Sequence, residues 1–300
     1  MNIKKKIDVF VKSLKAFYQR ANKMSGGVIE IIRVTFTRFG EERGSEAAAS
    51  LAYYGFFSIF PMLLVFIVVG SFFVDAEMVQ AQLIHLLQVV PGAEDIVIEN
   101  IEQVLRLRGS VTIIAVISLV WSATGVFNIL AKNINRAFIR AEVPDFFKGR
   151  FLGFLMFMGL GFLMVLSLTA STIAGLIPVI RVPINDIVLH ETIFWRFGVT
   201  LTPVLINFLM FWAMYQWVPT VSVRRRAAVI TGIIAAVALE LLNNILSWLL
   251  RTGMIEYQLV YGSLGTIVAL LFYVYLVATL VLIGAHLTAS INQHINRKHD

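Results

Sequence analysis

The chain is expected to be an all-α integral membrane protein, with six transmembrane helices, N-terminal cytoplasmic amphipathic helices and an extracytoplasmic helical hairpin. Three observations predict this. Hydrophobic residues make up 58% of the 300 residues and charged ones only 14%, with a mean hydropathy of +0.82. The apolar excess falls in six blocks, Leu51 to Val74, Val111 to Ala131, Phe151 to Ile180, Phe197 to Val218, Ala227 to Leu250 and Leu264 to Thr288. Each reaches the roughly 20 residues needed to cover a hydrocarbon core. Backbone groups in lipid must be satisfied within a span, and the blocks are too long for barrel strands, so they are helices. The third observation is charge placement. With loops assigned alternately from the inside, segments 1–50, 132–150, 219–226 and 286–300 hold 20 of the 25 Lys and Arg residues. Positive short loops stay cytoplasmic, which puts both termini inside.

Along the chain, residues 1–46 form the interfacial region, 47–290 the membrane domain and 291–300 a tail. Ile3, Ile7, Phe10, Leu14 and Phe17 recur at steps of four and three, with Lys4, Lys5, Lys12, Lys15 and Arg20 mainly on the other faces. Residues 1–24 are therefore a basic amphipathic helix, either lying on an anionic cytoplasmic leaflet or solvated against its own bundle. Val28 to Phe39 reads as a second interfacial helix, and Gly40 to Gly44 as a turn. Pro61 in the first span predicts a kink. In the outside loop 75–110, Val79, Leu83, Leu86 and Val90 repeat before Pro91 and Gly92, and Val97, Ile101, Val104 and Leu105 after them. That pattern is a helical hairpin capping the bundle. A smaller interfacial element over Ile184 to Arg196 joins spans three and four. Asn133-Ile134-Asn135-Arg136 and His294-Ile295-Asn296-Arg297 echo each other after spans two and six, too briefly to define a repeat.

The fifth span carries the one expensive group. Ala228, Gly232, Ala236, Glu240 and Asn244 follow at i+4 steps with Asn243 alongside, so one helix face is small at one end and polar at the other. A carboxylate at that depth costs at least about 2.5 kcal/mol unless paired, protonated or hydrated. Glu240, Asn243 and Asn244 are candidates for substrate binding or proton coupling, or else they fix helix packing. Span two offers a facing surface through Ser118, Ser122, Gly125 and Asn128, running into Lys132. Lys132, Arg224, Arg225 and Arg226 are candidates for headgroup or phosphate contact; snorkelling explains Lys132 and topology the arginine triplet equally well.

Several chemistries find no support. With no cysteine there is neither a disulfide framework nor a thiolate metal site. There is no phosphate-binding GxxxxGK[ST] loop, and the five histidines (His85, His190, His286, His294, His299) form no metal-ligand spacing. No catalytic residues, cofactor or metal are expected, and the chain is not expected to be an enzyme. The first 25 residues lack a signal-peptide core, so the first span is expected to be retained.

Three segments resemble the YihY/BrkB family of bacterial inner-membrane proteins: Ala47-Ala48-Ala49-Ser50-Leu51-Ala52-Tyr53-Tyr54 with Pro61; Trp121-Ser122-Ala123-Thr124 with Asn135; and Tyr261-Gly262-Ser263-Leu264-Gly265 with Gly284-Ala285. Tyr215 to Pro219 matches the family's aromatic-to-proline step, and His286 stands where that family commonly carries Glu. The resemblance covers about residues 30–295 and implies six membrane helices with cytoplasmic termini. Some members carry names from serum resistance or a ribonuclease assignment. The family's setting implies a role in moving or organising envelope lipids. The function expected is thus a non-ATP-driven transporter or flippase-like protein for a lipid or other amphiphile, the alternative being a structural scaffold for envelope assembly. Membrane lipids are the expected partners and nucleic acid is not, while a homo-oligomer is compatible with the sequence.

Overall fold

The computed structural model describes residues 22, 25–70, 113–139, 141–142, 145, 147–156, 158–159, 162, 193–252 and 264–297, and every regular element among them is helical. The helices are α1 (Val28–Glu41), α2 (Gly44–Gly70), α3 (Ile113–Arg136), α4 (Ile193–Trp217), α5 (Arg225–Arg251) and α6 (Gly265–Arg297), with a further helical stretch at 147–156. Nearly all of the helix expected over 1–24, the hairpin over 75–110, most of the third span and Ile184 to Thr192 lie outside the described residues.

Several helices outrun the apolar blocks. α2 begins at Gly44, because Ala47, Ala48 and Ala49 are strong helix formers that extend it ahead of Leu51. α3 continues past Ala131 to Arg136 and α6 past Thr288 to Arg297, where polar side chains find partners. The turn is tighter than expected over 40–44. Gly40 stays helical, and the turn is confined to Glu42 and Arg43, with Arg43 at φ 56° in the left-handed region. Pro61 lies inside α2. Gly27 precedes α1 at φ 97°, a conformation glycine tolerates, and a Cβ there would collide with the His294 ring.

α6 is the central element, packing against α1, α2 and α5, while α4 packs on α5 and α3 on α2. The larger core cluster joins α4, α5 and α6 through Phe211, Tyr215, Ala228, Ala236, Leu239 and Ala285. A second joins Ala48 and Leu51 of α2 to Ala278 and Leu282 of α6. Small residues set the closest approach. Ala228, Gly232 and Ala236 are buried, and a Cβ on Gly232 would sit 3.2 Å from the Trp212 nitrogen. Close backbone contact of this kind replaces the hydrophobic drive that is lost when the solvent is lipid.

The outward faces are apolar. Ile230, Ile233, Val237, Leu241, Ile245 and Trp248 are exposed along α5. Stretches of α5 and α6, Arg225–Leu249 and Ile267–Arg297, are long and apolar enough to cross a bilayer, and most of each is left uncovered. An uncovered apolar surface of that length is what lipid contact requires.

Candidate functional site

Glu240 lies near the middle of the α5 stretch and is half-buried. Asn244, one turn on and exposed, donates from Nδ2 to the Glu240 carbonyl at 2.9 Å and reaches its carboxylate Oε1 at 3.4 Å. Asn243 faces α6, where its Oδ1 accepts the Tyr273 hydroxyl at 3.1 Å. The three predicted residues therefore form one patch joining α5 to α6. Among the described residues no cation pairs with Glu240.

Asn128 belongs to a different seam. The α3 face that carries it packs on the helical stretch at 147–156: a Cβ on Gly153 would meet the Thr124 carbonyl at 2.9 Å and the Asn128 backbone amide at 3.3 Å. Arg150 sits with its guanidinium 3.8 Å over the Trp121 ring and donates to the Trp121 carbonyl at 3.1 Å. Span two thus faces the start of span three where the small and polar residues of the fifth span were expected to be its partner. Ser122 itself is exposed.

The densest polar network was not anticipated from periodicity. It lies at the end of the bundle where α1, the starts of α2 and α5 and the ends of α3, α4 and α6 converge, here called the basic end. Asn135, 1% exposed, donates from Nδ2 to the carbonyls of Ala131 (2.9 Å) and Val218 (3.2 Å), and its Oδ1 accepts the Thr220 amide at 2.7 Å. Asn292 does the same for the far side of that loop, donating to the Ser222 carbonyl at 3.2 Å and accepting the Arg224 amide at 3.0 Å. Arg224 Nε donates to Asn296 Oδ1 at 2.7 Å. Of the arginine triplet, Arg224 is thereby committed to α6, while Arg225 and Arg226 are exposed in the first turn of α5. Arg38 of α1 donates to Gln293 at 2.9 Å. The residue that departs from the family pattern, His286, is buried and edge-on to Phe39 of α1 with centroids 5.8 Å apart. The sequence signal for this network was present: asparagines at the ends of apolar helices beside a short loop opened by a proline.

Two cavities flank these networks. One of about 350 Å³ opens at the basic end between the start of α2 and the end of α3, with Glu42, Arg43, Glu46, Lys132, Asn133 and Arg136 around it and Ala47 and Ile129 at its apolar wall. Lys132 is therefore in a site of mixed charge, remote in sequence from the arginine triplet. The other, about 420 Å³, is an apolar groove between α5 and α6, lined by Ile234, Ala238, Leu241, Ile245, Leu276 and Leu280 among others. Glu240 is outside that lining: at about 100° per residue it falls on the opposite side of α5 from Ile234, Ala238 and Ile245. Among the described residues no three His, Cys, Asp or Glu side chains come together as a metal site.

An all-helical bundle with uncovered apolar helices and polar latches at one end is the build of an integral membrane protein. The chain belongs to the family described as Virulence factor BrkB, whose model matches residues 35–300. It is similar to UPF0761 membrane proteins, at 25% identity to one from Cronobacter sakazakii over 94% of this chain and 95% of the relative. Another, from Vibrio campbellii, is 28% identical over 93% of this chain and 87% of its own length. It also matches a Bacillus subtilis protein named as ribonuclease-like, YfkH, at 22% identity over 88% of this chain and 96% of the relative. No solved structure matches. The family-like segments meet physically: Tyr215 donates to the Val281 carbonyl at 3.0 Å beside Gly284, and Asn135 holds Val218 and Thr220.

Proposed function

We propose that this protein is a non-ATP-driven transporter or flippase-like protein for a lipid or other amphiphile, spanning the bacterial inner membrane six times with both termini in the cytoplasm. The observation that carries the proposal is Glu240: an acid retained in the middle of an otherwise apolar helix, half-accessible, with the Asn244 amide within reach of its carboxylate and no cation paired to it among the described residues. Such a group is expensive in lipid and is kept where it binds or carries something. The apolar groove between α5 and α6, on the other side of α5 from Glu240, suits an acyl chain, and Arg225 and Arg226 suit a phosphate at the interface.

Reconstitution into vesicles with fluorescent lipids tests this. Glu240→Gln keeps shape and hydrogen bonding but removes the charge cycle, so it should insert normally and lose at least about tenfold in transport rate, equivalent to about 1.4 kcal/mol. Full transport by that variant would remove Glu240 from the mechanism. A scaffold is the second reading, favoured by the Tyr273–Asn243 bond between α5 and α6. On that reading Glu240→Gln is silent and Asn243→Ala lowers thermal stability, because the Tyr273 hydroxyl loses its acceptor.

The topology has its own check in this cysteine-free chain. Cysteines placed by Glu94→Cys and Lys298→Cys should label from opposite faces of the membrane in intact cells. Labelling from the same face would overturn the six-span arrangement.

A further inference from the structure

We propose that the cavity between the start of α2 and the end of α3 binds a zwitterionic headgroup, a phosphate joined to a primary ammonium. Lys132 and Arg136 would take the phosphate and Glu42 the ammonium. The cavity is about 350 Å³, within the range of small-ligand sites.

Its charges select the ligand. Arg43 and Glu46 pair with each other at 2.9 Å, with side chains 74% and 63% exposed, so they largely cancel. That leaves Glu42 on one wall against Lys132 and Arg136 on the other. Among the described residues none of these three is in an ion pair; Arg136 makes only a long hydrogen bond, 3.4 Å, to Asn133. Asn133 in turn has its Nδ2 committed to the Ile129 carbonyl at 3.0 Å, leaving its oxygen turned to Arg136. Two cations hold a phosphate by charge-assisted hydrogen bonds. A simple anion would leave Glu42 facing negative charge, whereas an ammonium beside the phosphate satisfies it. A primary ammonium can donate hydrogen bonds to a carboxylate and a quaternary one cannot. The same chemistry is offered by an aminophospholipid and by free phosphoethanolamine.

The site rests on the amphiphile reading only in taking a lipid as its first probe. Full-length protein in detergent is titrated with dihexanoyl phosphatidylethanolamine, phosphatidylcholine and phosphatidylglycerol, and with free phosphoethanolamine, and bound ligand is read by native mass spectrometry. The wild type should prefer the ethanolamine lipid to the choline lipid by about tenfold, the size of one charge-assisted hydrogen bond. Glu42→Gln should erase that preference while still binding the glycerol lipid, which also shows that the variant is folded. Lys132→Gln should weaken all three lipids by about tenfold, and Lys132→Arg should retain them. Binding of free phosphoethanolamine as tight as the lipid's assigns the site to the free solute, and binding of the lipid alone assigns it to the bilayer; either supports the zwitterion chemistry. Equal binding of the three lipids, tighter binding of the glycerol lipid than the ethanolamine lipid, or an unchanged preference in Glu42→Gln overturns it. Headgroup selectivity that survives while Glu240→Gln transports normally removes the transport mechanism and leaves this site standing. Lost selectivity with Glu240-dependent transport does the reverse.

Discussion

Asn135→Leu is expected to lower the thermal unfolding temperature of the detergent-solubilised protein by roughly 5 to 10 °C, for a loss of about 3 kcal/mol. The side chain is almost wholly buried and is the link between the end of α3 and the residues after α4. Leucine has the same number of side-chain heavy atoms, branched at the same carbon, but cannot donate to the Val218 carbonyl, and Val218 is itself buried, so that acceptor is stranded without water. Thr220 is exposed and its amide can find solvent, which limits the damage on that side. Asn133→Leu is the control. Asn133 is also buried, at the edge of the mixed-charge cavity, but bonds its own helix at Ile129 and the nearby Arg136, so the same substitution there should move the transition by no more than a few degrees. Equal shifts at the two positions would show that burial, and no latch between segments, governs both.

The contrast between these two asparagines also shows what the sequence could express. Periodicity and block length identify helices because a lipid environment imposes a length and an apolar surface on each of them separately, and α5 and α6 satisfy that demand on their own. Neighbour relations are another matter. Lipid and protein interiors are equally apolar, so the face of a helix that touches a partner differs from the face that touches lipid only in small or polar residues. Ala228, Gly232 and Ala236 announce close packing, and the partner turns out to be α4 at Trp212. Gly125 and Asn128 announce it equally well, yet nothing in their spacing says that the partner is the stretch around Arg150 and Gly153. The candidate site divides along the same line. Glu240, Asn243 and Asn244 share one helix and come together as spacing requires. Lys132 acquires its acidic neighbours from a segment some 90 residues away, reached only through the packing of α2 on α3. Asn135 likewise needs a loop 83 residues on before its role is visible.

Gly284→Ala tests the tightest of these neighbour relations, and it sets two effects of opposite sign against each other. In an isolated helix alanine is better than glycine by about 1 kcal/mol. Here a Cβ would land on the Tyr215 hydroxyl and lie 2.7 Å from its Cζ, distances that real side chains do not reach. The ring has no room to retreat: Tyr215 is fully buried, stacked on Phe211 with centroids 6.0 Å apart, and pinned by its hydroxyl to the Val281 carbonyl. Overpacking of a close-fitted core costs about 1 to 3 kcal/mol, and loss of the buried Tyr215 hydrogen bond adds about 1 to 3 more. The sum exceeds the helix gain, so the variant should be destabilised by about 2 kcal/mol or more, with Gly284→Leu failing to accumulate as folded protein. Tyr215→Phe alone should cost only the hydrogen bond. In the double variant the hydroxyl that the new methyl strikes is gone, while the Cζ contact persists, so part of the loss should be recovered. The loss in the double variant should therefore fall short of the sum of the two single losses by about 1 kcal/mol, a coupling of the size found for residues in direct contact. Strict additivity in detergent unfolding would mean that α4 and α6 are not in contact at this crossing, and would undo the packing of the larger core cluster.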